Sequence, residues 1–271
     1  MGTGVTMRDV ADAVGVSPMT VSRALRDDPR VNAKTRARIR QAADQLGYVY
    51  DSTAQAFRSR KSGFVAVTLP SVNNANFAET FRALTSGVGE AGLQLLLGST
   101  NYRVAREEEL VRQLLARNPE ALVLTGGHHT DGTRSLVQGR GLPVIEMWDL
   151  PASPLGHVVG FSNGDAMSHI VGHLVAPGRR QLAIVGASEG ADMRGAARRA
   201  GVVRAASMHR LSEVAMIDAG SAPVSMRHGA AVIEAMGRDV TQYDALVCVS
   251  DPVAFGCLSA VLRMGLRVPD D

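Results

Sequence analysis

From Phe64 to Cys257 the sequence alternates short apolar runs with longer amphipathic segments. No other feature limits the fold as strongly. The runs are Phe64–Leu69, Leu93–Leu97, Ala121–Leu124, Pro143–Met147, Val158–Phe161, Leu182–Val185, Val214–Ile217 and Ala245–Val249. Helical patterns lie between most of them, such as Phe77–Ala91, Arg106–Arg117, Asp192–Ser207 and Met226–Met236. Continuously apolar strands alternating with helices imply an α/β fold, a parallel sheet covered on both faces. The strand count is high for one compact sheet, and a break near Phe161–Asn163 gives two lobes. Ligands of such doubly wound sheets sit beyond the carboxyl ends of the strands. Those ends carry Ser71 and Asn73, Thr125 and Gly126, Trp148 and Asp149, Ser188, Asp218, and Ser250 and Asp251. Hydroxyls, amides and carboxylates there suit a polyhydroxylated small molecule. The same residue types also serve as routine turn and cap residues.

The segment before Phe64 has a different character. Thr6 and Asp9 stand in a capping-box relation, with Asp in place of the usual Glu or Gln. Val10, Ala11 and Val14 recur at helical spacing, and Gly15 supplies the left-handed residue that ends a helix. Ser17 is an N-cap and Pro18 fits the first helical position. Val21 and Leu25 turn inward, which leaves Pro18, Met19, Thr20, Ser22 and Arg23 outward. A third helix starts at Asn32 and closes at Gly47, with Ile39, Ala42, Ala43 and Leu46 inward and Lys34, Arg36, Arg38 and Arg40 supplying charge. Three short helices in this order make a helix-turn-helix unit, whose second helix enters the major groove of DNA. Charge agrees. Residues 1–62 hold 11 Lys+Arg against 6 Asp+Glu, a net of +5, and the remainder 18 against 20, a net of −2. A basic head on a slightly acidic body is the footprint of a DNA binder, not of a plain solvated bundle.

The chain, at 271 residues with 45% hydrophobic residues, has room for this head and a two-lobed body. It has no apolar run long enough to span a bilayer and no apolar leader at its start, so a cytoplasmic protein is expected. Cys248 and Cys257, the only cysteines, fit a reducing compartment as buried fillers. No cofactor motif holds up. Gly87-Val-Gly-Glu-Ala-Gly92 spells the dinucleotide fingerprint, but a helix precedes it and a strand follows, the reverse of what that motif requires. Gly186-Ala-Ser188-Glu-Gly190 spells a nucleophile elbow between strand and helix. A hydrolase would then need an acid and a histidine later in the chain, and only Asp218 and His228 stand in that order. His169 and His173 share a helix face at zinc-ligand spacing without a third ligand, and His128-His129 read as loop polars. The chain is therefore expected not to be an enzyme and to carry no metal.

The stretch Val5-Thr-Met-Arg-Asp-Val-Ala-Asp-Ala-Val-Gly-Val-Ser-Pro-Met-Thr-Val-Ser-Arg-Ala-Leu25, followed by Val31-Asn-Ala-Lys-Thr-Arg36 and Leu46-Gly-Tyr48, resembles the lactose/galactose-repressor family of bacterial transcription regulators. The resemblance runs through nearly the whole chain. It implies a helix-turn-helix domain over residues 1–50, a hinge helix over 51–62, and a body like a periplasmic sugar-binding protein (type I). The body's lobes would be 63–161 and 162–271. It also implies a homodimeric repressor on a near-palindromic double-stranded operator, released or retained by a small polar effector. By family position, Thr6, Ser17, Pro18, Met19, Thr20, Ser22, Arg23 and Tyr48 serve DNA contact. Ala54, Phe57 and Arg58 belong to the hinge, with Phe57 where the family usually has a leucine wedge. Leu96-Leu-Gly-Ser-Thr-Asn-Tyr102, Glu120–His129 and Val144-Ile-Glu-Met-Trp-Asp-Leu150 are similar to gluconate-utilisation repressors within the family. The effector residues so implied are Ser71, Asn73, Thr125, Glu146, Trp148, Asp149, Phe161, Arg198, Ser250 and Asp251, and the effector a sugar or sugar acid such as gluconate. The final phrase Arg267-Val-Pro-Asp-Asp271 leads, in the family, into further elements, so an incomplete second lobe is expected. A sugar-binding transport module would share this body but not the basic head.

Overall fold

The structure, a computed structural model, describes residues 4–50, 61–187, 192–211 and 213–271. The chain divides into two compact units, 1–60 and 61–271.

In the first unit, α1 (Met7–Val14), α2 (Pro18–Leu25) and α3 (Ala33–Leu46) pack on one another. Each start is capped. The Thr6 hydroxyl accepts from the Asp9 N–H while the Asp9 carboxylate accepts from the Thr6 N–H at 2.7 Å. Ser17 accepts from the Thr20 N–H, and Asn32 from the Thr35 N–H at 2.8 Å. Gly15 and Gly47 end α1 and α3 at φ 71° and 68°, a conformation in which a Cβ would be strained. Val10, Ala11, Val14, Val21, Ala24, Val31, Ile39 and Ala43 form the core. Leu46, expected inside, is exposed, and Val31, from the loop before α3, takes part instead. The basic residues of α3 are partly committed to the fold. Arg36 donates to the carbonyls of Asp28 and Val31, Arg38 to that of Val14, and Arg40 pairs with Asp27 at 2.7 Å.

The second unit holds two parallel sheets. The first has the order β2-β1-β3-β4-β5, from β1 (Phe64–Leu69), β2 (Gln94–Ser99), β3 (Ala121–Thr125), β4 (Val144–Met147) and β5 (His157–Val159). Its helices are α4 (Ala75–Glu90), α5 (Val104–Leu115) and α6 (Asp131–Gln138). The second has the order β7-β6-β8, from β6 (Leu182–Gly186), β7 (Ala215–Asp218) and β8 (Ala245–Cys248). Around it lie α7 (Asn163–Val175), α8 (Met193–Met208), α9 (Met226–Met236) and α10 (Asp251–Arg263). Every described pairing is parallel, as double-faced apolar strands require. The α/β reading of the sequence therefore holds, with the eight strands of the described residues near their expected places. Helix α6 lacked a signal: Asp131-Gly-Thr-Arg-Ser-Leu-Val-Gln is polar and buries only Thr133 and Val137. The second core is built around Val171, Ile184, Val202, Ile233 and Val253, with Asn163 buried at the start of α7. The first lobe mixes apolar clusters with buried Thr68, Glu107, Thr133 and Glu146. Among the described residues no helix is long and apolar enough to cross a membrane.

Candidate functional site

The first candidate surface is the N-terminal turn of α2. Ser17, Pro18 and Met19 are exposed, and Thr20, Ser22 and Arg23 half-buried. Met19, 57% exposed, has no place in the core. The Ser17 and Thr20 hydroxyls lie 2.9 Å apart and order this turn. Thr6 caps α1, and Tyr48 packs half-buried against the head core. The hinge residues Ala54, Phe57 and Arg58 lie outside the described residues, as does Ser188.

The second candidate site is a cleft at the carboxyl ends of the strands of both sheets. It comprises two hollows, about 280 Å³ and about 50 Å³, whose walls share Tyr102, Asp192 and Arg194. The larger is lined by Trp148, Phe161, Arg198, Ser250 and Asp251, and the smaller by Thr125 and Asp149. Three expected residues do not line it. Ser71 accepts from the Asn73 N–H in an exposed turn, and Asn73 points to solvent. Glu146 does not line it either: it is fully buried on the Val144 face of β4, opposite Ile145 and Met147, with its carboxylate against His129 and the Leu155 N–H.

Aromatic rings form one wall. Phe77 meets Trp148 edge-on with centroids 5.5 Å apart, Trp148 meets Phe161 at 6.1 Å, and Phe77 meets Tyr102 at 6.5 Å. Trp148 holds φ 71°, a left-handed backbone rare for a bulky side chain. Such strain persists where the surroundings over-determine it. Here the Trp148 N–H donates to the Val159 carbonyl at 3.1 Å, and its carbonyl accepts from Asn163 Nδ2 at 3.1 Å.

Two arginines line the cleft beside these rings. Arg194 lies over the Phe77 ring, 5.4 Å from its centroid. Gly126 follows β3 at φ 95°, and a Cβ there would sit 3.0 Å from Arg194 Nη1, so glycine admits this approach. Arg198 is not a solvated helix arginine. Its Nε donates to Asn163 Oδ1 at 2.9 Å and its Nη1 to the Val249 carbonyl at 2.6 Å. Burial pulls its pKa down, yet a guanidinium keeps its charge at any physiological pH. Trp148, Asn163, Arg198 and Val249 thus form one hydrogen-bonded path from β4 to the loop after β8. Burial likewise pushes the Tyr102 phenol up.

Several lining residues escaped the sequence reading: Asn74, Phe77, Tyr102, Arg103, Glu107, His128, Asp192 and Arg194. Tyr102 and Asp192 follow strands β2 and β6, where position alone marks them as candidates. Phe77, Glu107 and Arg194 lie on helices, where spacing does not tell a cleft residue from a core or solvated one. Ser188 lies outside the described residues, and the described candidates for its partners are engaged elsewhere. The Asp218 carboxylate accepts from the Gly220 N–H, and His228 Nδ1 is engaged by Ser225 at the start of α9. Gly87 and Gly89 lie in the last turns of α4, ahead of β2, so they open no phosphate loop. His169 and His173 are exposed. His129 is no loop polar, since its side chain is fully buried.

Residues 6–51 match the family described as bacterial regulatory proteins, lacI family, and residues 171–271 a periplasmic binding protein-like domain. The HTH-type transcriptional regulator GntR of Escherichia coli (strain K12) is 33% identical over 273 residues, covering 98% of this chain and 79% of the relative. Among solved structures, a LacI-family transcriptional regulator from Silicibacter pomeroyi superposes with a TM-score of 0.90 at 30% identity, over 98% of this chain and 79% of that one. The lac repressor dimer bound to operator and the anti-inducer ONPF shares the fold, with a TM-score of 0.80 at 23% identity over 98% of this chain and 80% of that one.

Proposed function

This chain belongs to the LacI family of bacterial transcriptional regulators, and from that premise we propose that it is a cytoplasmic, homodimeric repressor of a near-palindromic operator, governed by a sugar acid bound in the cleft. DNA binding through the head and a non-enzymatic body come with the family. The identity of the contacts is our reading. Pro18, Met19 and Arg23 face base edges, and Ser17, Thr20, Ser22, Thr6 and Tyr48 reach the backbone, which positions the head without reading sequence. An arginine can read guanine by a bidentate contact. Ala54, Phe57 and Arg58 would enter the minor groove, where an apolar ring can wedge a base step.

The observation that carries the effector reading is Arg198. A half-buried guanidinium, anchored by two of its nitrogens and lining the larger hollow, is built to receive a carboxylate. Hydroxyl and carboxylate groups of Thr125, Asp149, Ser250 and Asp251 surround the same cleft and suit a polyol tail. A ligand on Arg198 engages the path from Trp148 to Val249 and so biases how the lobes meet. The resulting shift in operator affinity is bounded by the ligand's differential affinity for the two arrangements. A thermal-shift screen of neutral sugars, aldonates and phosphorylated sugars tests this. Stabilisation by an aldonate such as D-gluconate, lost in Arg198→Ala, is expected. Stabilisation by neutral sugars alone would refute the sugar-acid reading.

A further inference from the structure

The first lobe buries a charged cluster that neither DNA binding nor the Arg198 path uses. His129, on the loop between β3 and α6, has a side chain with no solvent exposure. Its Nδ1 lies 2.5 Å from Glu107 Oε1 and its Nε2 3.2 Å from Glu146 Oε1. Both carboxylates are buried, and Glu146 Oε2 accepts from the Leu155 N–H at 2.6 Å. Each nitrogen–oxygen contact needs one proton between its atoms, because two facing lone pairs repel. A neutral imidazole supplies only one. The trio therefore holds two protons at its contacts and a net charge of −1. Burial opposes a charged ring, but Glu107 and then Glu146 outweigh it and raise the His129 pKa above its ordinary value.

The cluster reaches the cleft at one point. Glu107 also lines the smaller hollow, with Arg103, Thr125, His128 and Arg194. Its Oε2 accepts no hydrogen bond among the described residues, whereas the neighbouring Glu108 is taken by Thr130 at 2.6 Å and by Arg112. His128 faces the hollow rather than the cluster.

We propose that Glu107 binds a hydroxyl group of the effector, and that His129, clamped between Glu107 and Glu146, is the positioning residue that holds this acceptor in place. The inference rests on the reading of the cleft as the effector site, and it deepens that reading. A hollow offering a carboxylate acceptor beside arginines selects a molecule that is anionic at one end and carries hydroxyls along its length. Neither a plain dicarboxylate nor a neutral sugar satisfies both. The clamp is proton-dependent. With the folded pKa above the unfolded one, its stabilisation is complete below about pH 6.5. It is lost as pH rises through the elevated folded value. Deprotonation leaves an unbonded nitrogen against a buried carboxylate, and Glu107 loses its fixed position.

The test is isothermal titration of the full chain with D-gluconate between pH 6 and pH 9, for the parent, Glu107→Gln and His129→Gln, with Trp148 emission followed over the same range. Trp148 is the only tryptophan and follows Glu146 by two positions on the cleft wall, so it reports the clamp without any ligand. In the parent, affinity falls and emission steps above pH 6.5. Glu107→Gln loses about tenfold or more in affinity, the ordinary loss for a hydrogen bond to a charged group. His129→Gln binds weakly at every pH and shows no emission step. Unchanged affinity in Glu107→Gln, or a parent profile that His129→Gln reproduces, overturns the proposal. If the parent does not bind D-gluconate, the sugar-acid reading falls, and Trp148 emission then decides the clamp. A step that depends on His129 supports it, and its absence overturns it. Glu146→Gln, which keeps the shape of the cluster, should move the emission step toward lower pH if His129→Gln fails to fold.

Discussion

The head and the body solve the same problem, presenting polar groups to a partner, by opposite means. In the head, the proposed contact residues Ser17 to Arg23 are neighbours in sequence on one short helix, and their arrangement follows from two caps and a three-helix core. In the body, the cleft draws on residues from Pro70 to Asp251, brought together by the carboxyl ends of the parallel strands and the helices that follow them. Local devices fix the first site and topology fixes the second. The head's site should therefore fail through loss of a single helix, and the body's through loss of a single side chain.

The sharpest way to break that contrast is Ile39→Ala. Ile39 is fully buried in the small head core, and such a deletion costs about 2–5 kcal/mol, enough to unfold a unit of this size. Calorimetry should show the head transition lost and the body transition unmoved, with DNA binding abolished. A shift of both transitions would mean that the units are not independent. Next in size, Arg198→Ala should weaken effector binding by about 1.5–3 kcal/mol, the range for a hydrogen bond to a charged group, and leave operator affinity without effector as in the parent. An unchanged dose–response curve removes Arg198 from the site. Arg23→Ala should lower discrimination at one operator position by about 1–3 kcal/mol, whereas Lys34→Ala should weaken all duplexes alike or do little. Equal losses across operators for both would show that Arg23 reads no base. The smallest effect is expected at Ser17→Ala, which removes the α2 cap and costs the head about 1 kcal/mol, measurable as a modest fall in its melting temperature.

The same contrast governs what the sequence could say. The strands from Phe64 to Cys248 and the caps at Thr6, Ser17 and Asn32 were legible because apolar runs and capping residues act over a few positions. Leu46 was misjudged because helical spacing alone does not reveal that Val31, from outside the helix, fills the core. Family position places Glu146 in the cleft, whereas the pleat of β4 puts it on the buried face of Val144. His129 reads as a loop polar, and Glu107 carries no local signal. Their pairing across 22 residues of chain is tertiary, and no local pattern announces it. Arg198 was nominated from family position and from guanidinium chemistry. Its anchoring by Asn163 and Val249 follows from the approach of α7, α8 and the loop after β8, which sequence spacing does not encode.

The central claim is that the exposed turn of α2 reads duplex sequence. Selection of binding sites from a random duplex library, repeated at rising salt, tests it most directly. A near-palindromic consensus should emerge from the pool, with affinity falling steeply as salt increases because phosphate contacts release counterions, and with one position of that consensus relaxed in Arg23→Ala. Retention of all duplexes alike, at low as well as high salt, would contradict it.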